Sequence, residues 1–75
     1  SLEQLIEKHL DNSDCAAAFA LWESQGREIA YPLGMRLSKA YYVQQDYQKA
    51  LGLLVKLRPN IISELYECRV LQFKC

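Results

Sequence analysis

The sequence is poor in residues that interrupt helices and in residues that cross-link a small fold. Its 75 residues include two prolines, three glycines and three cysteines. Small folds held by disulfides usually contain more cysteines, in even number and at closer spacing. We therefore expect free thiols in a reducing environment, which predicts an intracellular location in the cytoplasm or the nucleus.

The sequence also lacks a surplus of charge and a long apolar run. Nine basic and nine acidic residues give a formal net charge of zero, whereas binding to nucleic acid or to an anionic membrane normally needs a basic surplus. A membrane-spanning helix needs about 20 consecutive, mostly apolar residues, and no stretch of the sequence provides them. We expect neither nucleic acid nor membrane as a partner.

Residue sets that carry catalysis or hold a cofactor are missing as well. His9 is the only histidine, and there is no glycine-rich phosphate loop, nucleophile elbow or neighbouring set of Ser, His and Asp. Cys68 and Cys75 lack the second close pair of a zinc site. We predict a protein that is not an enzyme, that uses no metal or cofactor, and in which His9 is a packing residue.

What the sequence does contain is helical periodicity along most of its length. Apolar residues recur at spacings of three and four, and no stretch alternates over the length of a strand. Helices are predicted at residues 2–10, 14–25, 32–44, 46–58 and 61–75. Between them stand cap and turn formers, with Gly26 ending the second helix, Pro59 stopping the fourth and Asn60 capping the fifth.

The sequence contains two similar segments. Each residue of the first is separated from its match in the second by a constant number of positions, the same number that separates Asp14 from Asp46. The matched pairs are Leu5 and Leu37, His9 and Tyr41, Asp14 and Asp46, Cys15 and Tyr47, Ala18 and Ala50, and Trp22 and Leu54. A fixed period of this length is typical of stacked helical hairpins that share their cores.

The better of the two copies, residues 31–62, resembles the tetratricopeptide (TPR) repeat, a helix-turn-helix motif of about 34 residues. The residues that carry the resemblance are Leu37, Ser38, Tyr41, Tyr47 and Ala50. Several features depart from the family pattern. The period is shorter, Pro59 falls early, and Ile6 of the first copy stands at the position where the family has a small residue. Gln25 and Leu57 replace the second alanine of the family's second helix.

The resemblance implies an all-α fold in which antiparallel helix pairs stack as a short right-handed solenoid. A single domain, residues 1–75, would then hold five helices and about two and a half repeats, divided into residues 1–30, 31–62 and 63–75. The segment 65–68 also resembles, more faintly, the N-terminal TPR regions of anaphase-promoting complex scaffold subunits, which implies a part in the cell cycle.

We therefore predict a scaffold that binds a peptide or helix of another protein on its concave face, or that assembles a larger complex. By the resemblance, this face is lined by the first helix of each pair. The predicted contacts are Glu3, Glu7, Asp11, Met35, Lys39, Tyr42, Arg69 and Phe73. The alternative for these residues is an ordinary exposed surface.

The last predicted helix brings apolar residues to the end of the chain, where no later helix covers them. Because solenoids need polar caps at their ends, we expect the natural chain to continue past Cys75. Since Ser1 is not methionine, we also expect it to begin before residue 1. Self-association through the last helix is the expected consequence.

Two other interpretations stay open at this point. The first is an RNA-binding helical repeat of the pentatricopeptide type, which has the same paired-helix geometry but is disfavoured by the zero net charge. The second is a plain helical bundle domain of an enzyme or a regulator, in which the fixed period is accidental.

Overall fold

The computed structural model describes residues 1–24 and 30–75, and within them every regular element is an α-helix. The helices are α1 (Leu2–Asp11), α2 (Cys15–Ser24), α3 (Tyr31–Val43), α4 (Tyr47–Leu54) and α5 (Ile62–Lys74). The pairs α1–α2 and α3–α4 form two hairpins, α3 lies against both helices of the first hairpin, and α5 contacts α4. The predicted all-α fold is confirmed.

Two predicted helix ends differ from the structure. Helix α4 ends at Leu54 rather than near Pro59, because the amides of Lys56 and Leu57 donate to carbonyls three residues earlier and tighten the last turn. At α5 the cap residue is Ile61 rather than Asn60. The predicted end of the second helix at Gln25 and Gly26, and the connection after it, lie outside the described residues.

The turn between the helices of a hairpin has the same backbone in both copies. Ser13 and Gln45, which stand at equivalent positions of the two copies, have positive φ angles of 59° and 64°. This left-handed conformation reverses the chain after the first helix of each hairpin. The amide of the following aspartate then donates to the carbonyl of His9 at 2.8 Å in the first turn and of Tyr41 at 3.0 Å in the second.

The start of the second helix is also capped in the same way in both hairpins. The Asp14 carboxylate accepts from the amide of Ala17 at 3.2 Å, and the Asp46 carboxylate accepts from the amide of Lys49 at 3.4 Å. Each aspartate satisfies an amide that the helix cannot bond internally. Local sequence thus produces the same helix-turn-helix twice.

The small residue of each second helix is fully buried, as the repeat predicts. Ala18 and Ala50 have no exposed surface, and a methyl side chain there lets the two helices of a hairpin approach closely. Matched residues on the first helix of each hairpin differ in burial. Leu5 is 44% exposed whereas its counterpart Leu37 is 1% exposed, because Leu37 packs on the first hairpin and no described helix precedes α1.

His9 is less buried than its counterpart Tyr41 for the same reason. Its side chain is partly exposed, and its Nδ1 lies 4.0 Å from Asp14 Oδ2. Tyr41 is buried and donates its hydroxyl to the carbonyl of Cys15 at 3.3 Å. The second hairpin rests on the first, whereas the described residues provide nothing for the outer side of the first hairpin to rest on.

The core consists of two clusters, and α3 contributes to both. The first comprises Ile6, Leu10, Cys15, Ala18, Leu33, Leu37, Tyr41, Ala50 and Leu53. The second comprises Tyr31, Met35, Leu54, Cys68 and Leu71. Helix α3 therefore separates the clusters and is buried on most of its circumference.

The contact between α3 and the segment after α4 depends on a glycine. A Cβ placed on Gly34 would overlap Cδ2 of the partly buried Leu57, whereas a Cβ on the exposed Gly52 of α4 would meet nothing. The two glycines therefore have opposite roles, since one permits a close approach and the other only lowers helix propensity.

We predict that alanine substitution has different effects at these two positions. Gly52→Ala should stabilise the protein by about 0.5–1 kcal/mol through helix propensity. Gly34→Ala should lose most or all of this gain, because Cδ2 of Leu57 has to turn away from the new methyl group. Urea unfolding followed by circular dichroism measures both. In a Leu57→Ala background Gly34→Ala should become as stabilising as Gly52→Ala, and an effect of Gly34→Ala that is the same in both backgrounds would contradict the proposed contact.

Candidate protein-binding face

Helix α3 exposes one narrow line of side chains between its two buried sides. Pro32, Arg36, Lys39 and Val43 are exposed and recur at spacings of four, three and four residues, which places them on one side of the helix. We call these four residues the α3 stripe. Arg36 and Lys39 are the only charged residues of α3.

The two cations of the α3 stripe reach neighbouring helices on opposite sides. Arg36 forms an ion pair with Asp11 of α1. Lys39 Nζ lies 3.2 Å from Glu67 Oε2 of α5. On the face formed by α1, α3 and α5, two cations of α3 are therefore flanked by one carboxylate from α1 and one from α5.

A buried tyrosine supports the carboxylate of α5. The hydroxyl of Tyr31 lies 2.8 Å from Glu67 Oε1 and 2.9 Å from the carbonyl of Glu64. This hydroxyl and the ammonium of Lys39 lower the pKa of Glu67. Burial, together with the Glu67 carboxylate, raises the pKa of Tyr31. Glu67 is therefore held as a charged acceptor at the junction of α3 and α5.

Three shallow grooves open on this face, and Lys39 borders all of them. The first lies between the α1–α2 turn and α3 and includes Leu10, Ala40 and Val43. The second lies between α3 and the start of α5 and is lined by Tyr31, Pro32, Met35, Arg36, Lys39, Ile61, Ser63, Glu64 and Glu67. The third follows α5 and is lined by Lys39, Tyr66, Glu67, Val70, Leu71 and Lys74.

The structure places part of the predicted set on this face. Lys39 lies at its centre and Asp11 at its α1 edge, where it meets Arg36. Glu3 and Glu7 are exposed on α1 and follow the helix at four-residue spacing toward Asp11. These four predicted positions are available to a partner.

Two of the predicted α3 residues are displaced from the face by one position. Met35 is 4% exposed and belongs to the second core cluster. Tyr42 is half-buried against both clusters, and its ring centroid lies 5.5 Å from that of Tyr47. Each directly precedes a stripe residue, and a shift of one residue rotates a side chain by about 100° around the helix.

The predicted residues of α5 lie on another surface. Cys68 and Leu71 face the second core cluster, whereas Arg69 and Phe73 are exposed on the opposite side of α5. The structure therefore does not bring them together with Lys39. Glu67, which the sequence prediction omitted, is the α5 residue that does meet Lys39.

Arg36 and Glu67 were missed, and the sequence contains a signal for Arg36. A helix that packs on both sides keeps its charged residues for the strip that remains exposed, and α3 has only two charged residues. Charge within an otherwise apolar helix therefore marks the exposed strip more reliably than distance from the predicted packing residues.

The three cysteines are free thiols, and Cys15 and Cys68 are buried. Burial raises the pKa of both thiols. Within residues 1–24 and 30–75, no group of three or more His, Cys, Asp or Glu side chains is arranged to hold a metal ion. Comparison with protein-family models, curated proteins and solved structures yields no match.

The described helices are short in relation to a lipid bilayer. The longest, α3 and α5, have 13 residues each, and a bilayer crossing needs about 20. None of the helices in the described part of the chain is long and apolar enough to cross a membrane.

The contacts of Glu67 give a prediction that nuclear magnetic resonance can test. Tyr31→Phe should raise the pKa of Glu67 toward its ordinary value, because the hydrogen bond from the Tyr31 hydroxyl is the largest single cause of the lowered pKa, and Lys39→Met should also raise it. A carbon-detected titration of the side-chain carboxyl measures the pKa directly. An unchanged pKa in Tyr31→Phe would show that the hydroxyl does not bond the carboxylate.

The same contacts set a pH dependence of stability. Since folding lowers the pKa of Glu67, its charged form stabilises the protein above the pKa of the unfolded chain, and this contribution is lost as the pH falls through the folded pKa. The side chain is about half exposed, so we expect a loss of at most about 1 kcal/mol. Chemical unfolding at a series of acidic pH values should show a shallower loss for Glu67→Gln.

Proposed function

We propose that this protein is a non-catalytic protein-binding scaffold whose helical hairpins stack as a TPR-like array. The observation that carries the proposal is the central position of Lys39, which borders three grooves on a single face. Open grooves suit an extended segment or a helix of a partner better than a small molecule, which proteins usually enclose.

The repeated turn supports the stacked arrangement. The same left-handed residue, backbone hydrogen bond and aspartate cap occur at equivalent positions of the two hairpins, as expected when one structural unit is used twice. Helix α3 packs on both helices of the hairpin before it, and α5 contacts α4 of the next. A plain helical bundle would not require such a recurrence.

The charge pattern suggests what the partner presents. Asp11 and Glu67 each neutralise one cation of the α3 stripe, and exposed ion pairs of this kind contribute little to stability. A partner can therefore exchange them for its own ion pairs at low cost. We propose a segment with acidic groups for Arg36 and Lys39 and with apolar side chains for the grooves beside Ala40 and Val70.

The small number of cations favours a protein over RNA as the partner. An RNA-binding surface presents several cations toward phosphates, whereas the α3 stripe has two and the formal net charge of the chain is zero. We further propose that the protein works in a reducing, intracellular environment, since its three cysteines are free thiols.

Charge reversal on the α3 stripe tests the proposal. Peptides of about 12 residues selected by display on the wild-type protein should bind Lys39→Glu or Arg36→Glu at least about tenfold more weakly, because each reversal removes an attraction and adds a repulsion. Fluorescence anisotropy with labelled peptides measures the affinities. Helical circular dichroism should be unchanged, since both side chains are exposed.

Lys8→Glu is the matched control, because Lys8 is an exposed lysine of α1 on the side away from the buried Ile6 and Leu10. It changes the net charge by the same amount and should leave the affinities unchanged. Equal loss in Lys8→Glu and Lys39→Glu would indicate non-specific electrostatic attraction. Selected peptides that are indifferent to all three variants would contradict binding at this face.

A further inference from the structure

Helix α5 presents a line of side chains that no other described part of the chain covers. Ile62, Tyr66 and Phe73 are 85%, 71% and 91% exposed, and Arg69 is exposed between them. These four residues lie on the side of α5 opposite Cys68 and Leu71. We call them the α5 stripe, which shares Tyr66 with the third groove and contains no residue of the α3 stripe.

The spacing of the residues in the α5 stripe is the same when counted from either end of the helix. Its spacings are four, three and four residues, with an apolar residue at each end and an aromatic and a cation in the middle. A two-fold axis perpendicular to the helix at its centre would therefore place Ile62 against Phe73 of a second copy, and Tyr66 against Arg69. A two-fold interface requires this self-complementarity, because the same patch serves on both sides.

We propose that two copies of this chain associate through antiparallel pairing of their α5 helices. The central contacts are two symmetric pairs in which the guanidinium of Arg69 lies on the ring of Tyr66 from the other copy, a favourable cation–π arrangement. The outer contacts are two symmetric pairs of Ile62 and Phe73. Leu65, which is also partly exposed, flanks the centre on each side.

Electrostatics and size agree with a reversible dimer. The chain has a formal net charge of zero, so two copies approach without long-range repulsion. Each aromatic ring can cover about 150–250 Å², and the paired stripes would bury roughly 1,000 Å² in total, which is the lower limit of specific interfaces. We therefore expect a dissociation constant on the order of 100 µM, typical of weak association.

Sedimentation equilibrium of the 75-residue chain tests the proposal over concentrations from about 10 µM to about 1 mM. The wild type should change from monomer to dimer within this range. Phe73→Glu should remain monomeric, and its helical circular dichroism should be unchanged because Phe73 makes no core contact. A wild type that stays monomeric throughout, or a Phe73→Glu variant that dimerises like the wild type, would overturn the proposal.

A matched pair of variants tests the antiparallel register. Tyr66→Glu places a carboxylate opposite Arg69 of the other copy, whereas Tyr66→Lys places an ammonium there. Since the wild-type net charge is zero, the two variants have net charges of equal size and opposite sign. We expect Tyr66→Glu to dimerise at least about tenfold more tightly than Tyr66→Lys, and about 1 M salt to reduce the difference.

A parallel pairing gives a different result for the same pair of variants. Residue 66 would then face residue 66 of the other copy, and both substitutions would create repulsion between like charges. Equal weakening of the two variants would therefore overturn the antiparallel register. A two-fold contact between α5 helices stops at a dimer. If α5 of one copy instead packed on the exposed side of α1 of the next, the assembly would continue to grow, so oligomers larger than a dimer would overturn the two-fold contact. None of these outcomes depends on peptide binding at the α3 stripe.

Discussion

Burial of α3 on two sides is the constraint on which the rest of the structure depends. One side carries Leu33, Leu37 and Tyr41 into the first core cluster, and another carries Tyr31 and Met35 into the second. The first hairpin, α4 and α5 are held in place because each packs on this helix or on the cluster behind it. Gly34 permits Leu57 to approach α3, since a side chain at this position would overlap Leu57.

The same constraint explains where the charged groups lie. A helix enclosed on two sides leaves only a strip for polar side chains, and Arg36 and Lys39 occupy that strip. Their carboxylate partners come from α1 and α5, so that the charges of three helices meet along one line. The burial of α3 on two sides therefore determines both the fold and the position of the candidate binding face.

The features that the sequence predicted well are those determined by neighbouring residues. The turns around Ser13 and Gln45 and the caps at Asp14 and Asp46 depend on local backbone chemistry, and the repeat predicted that they would match. Burial of matched residues on the first helix of each hairpin depends on what packs against that helix, so that Leu5 is exposed although Leu37 is buried. The pattern alone could not distinguish these two leucines.

The exposed side of α3 was predicted less well than the fold, because the orientation of a helix has to be known to within one residue. Lys39 and Asp11 are exposed. Met35 and Tyr42 are not, because Met35 belongs to the second core cluster and Tyr42 packs against both clusters. Arg69 and Phe73 lie on the far side of α5, since the buried line of that helix passes through Cys68 and Leu71.

The division of the core into two clusters has a consequence for how the molecule comes apart. The second cluster gains Cys68 and Leu71 from α5, whereas the first joins the helices of both hairpins to one another without any buried residue of α5. Release of α5 would expose the second cluster and leave the first intact. We therefore expect local opening to begin with release of α5 and to stop at α3, at a lower free-energy cost than complete unfolding.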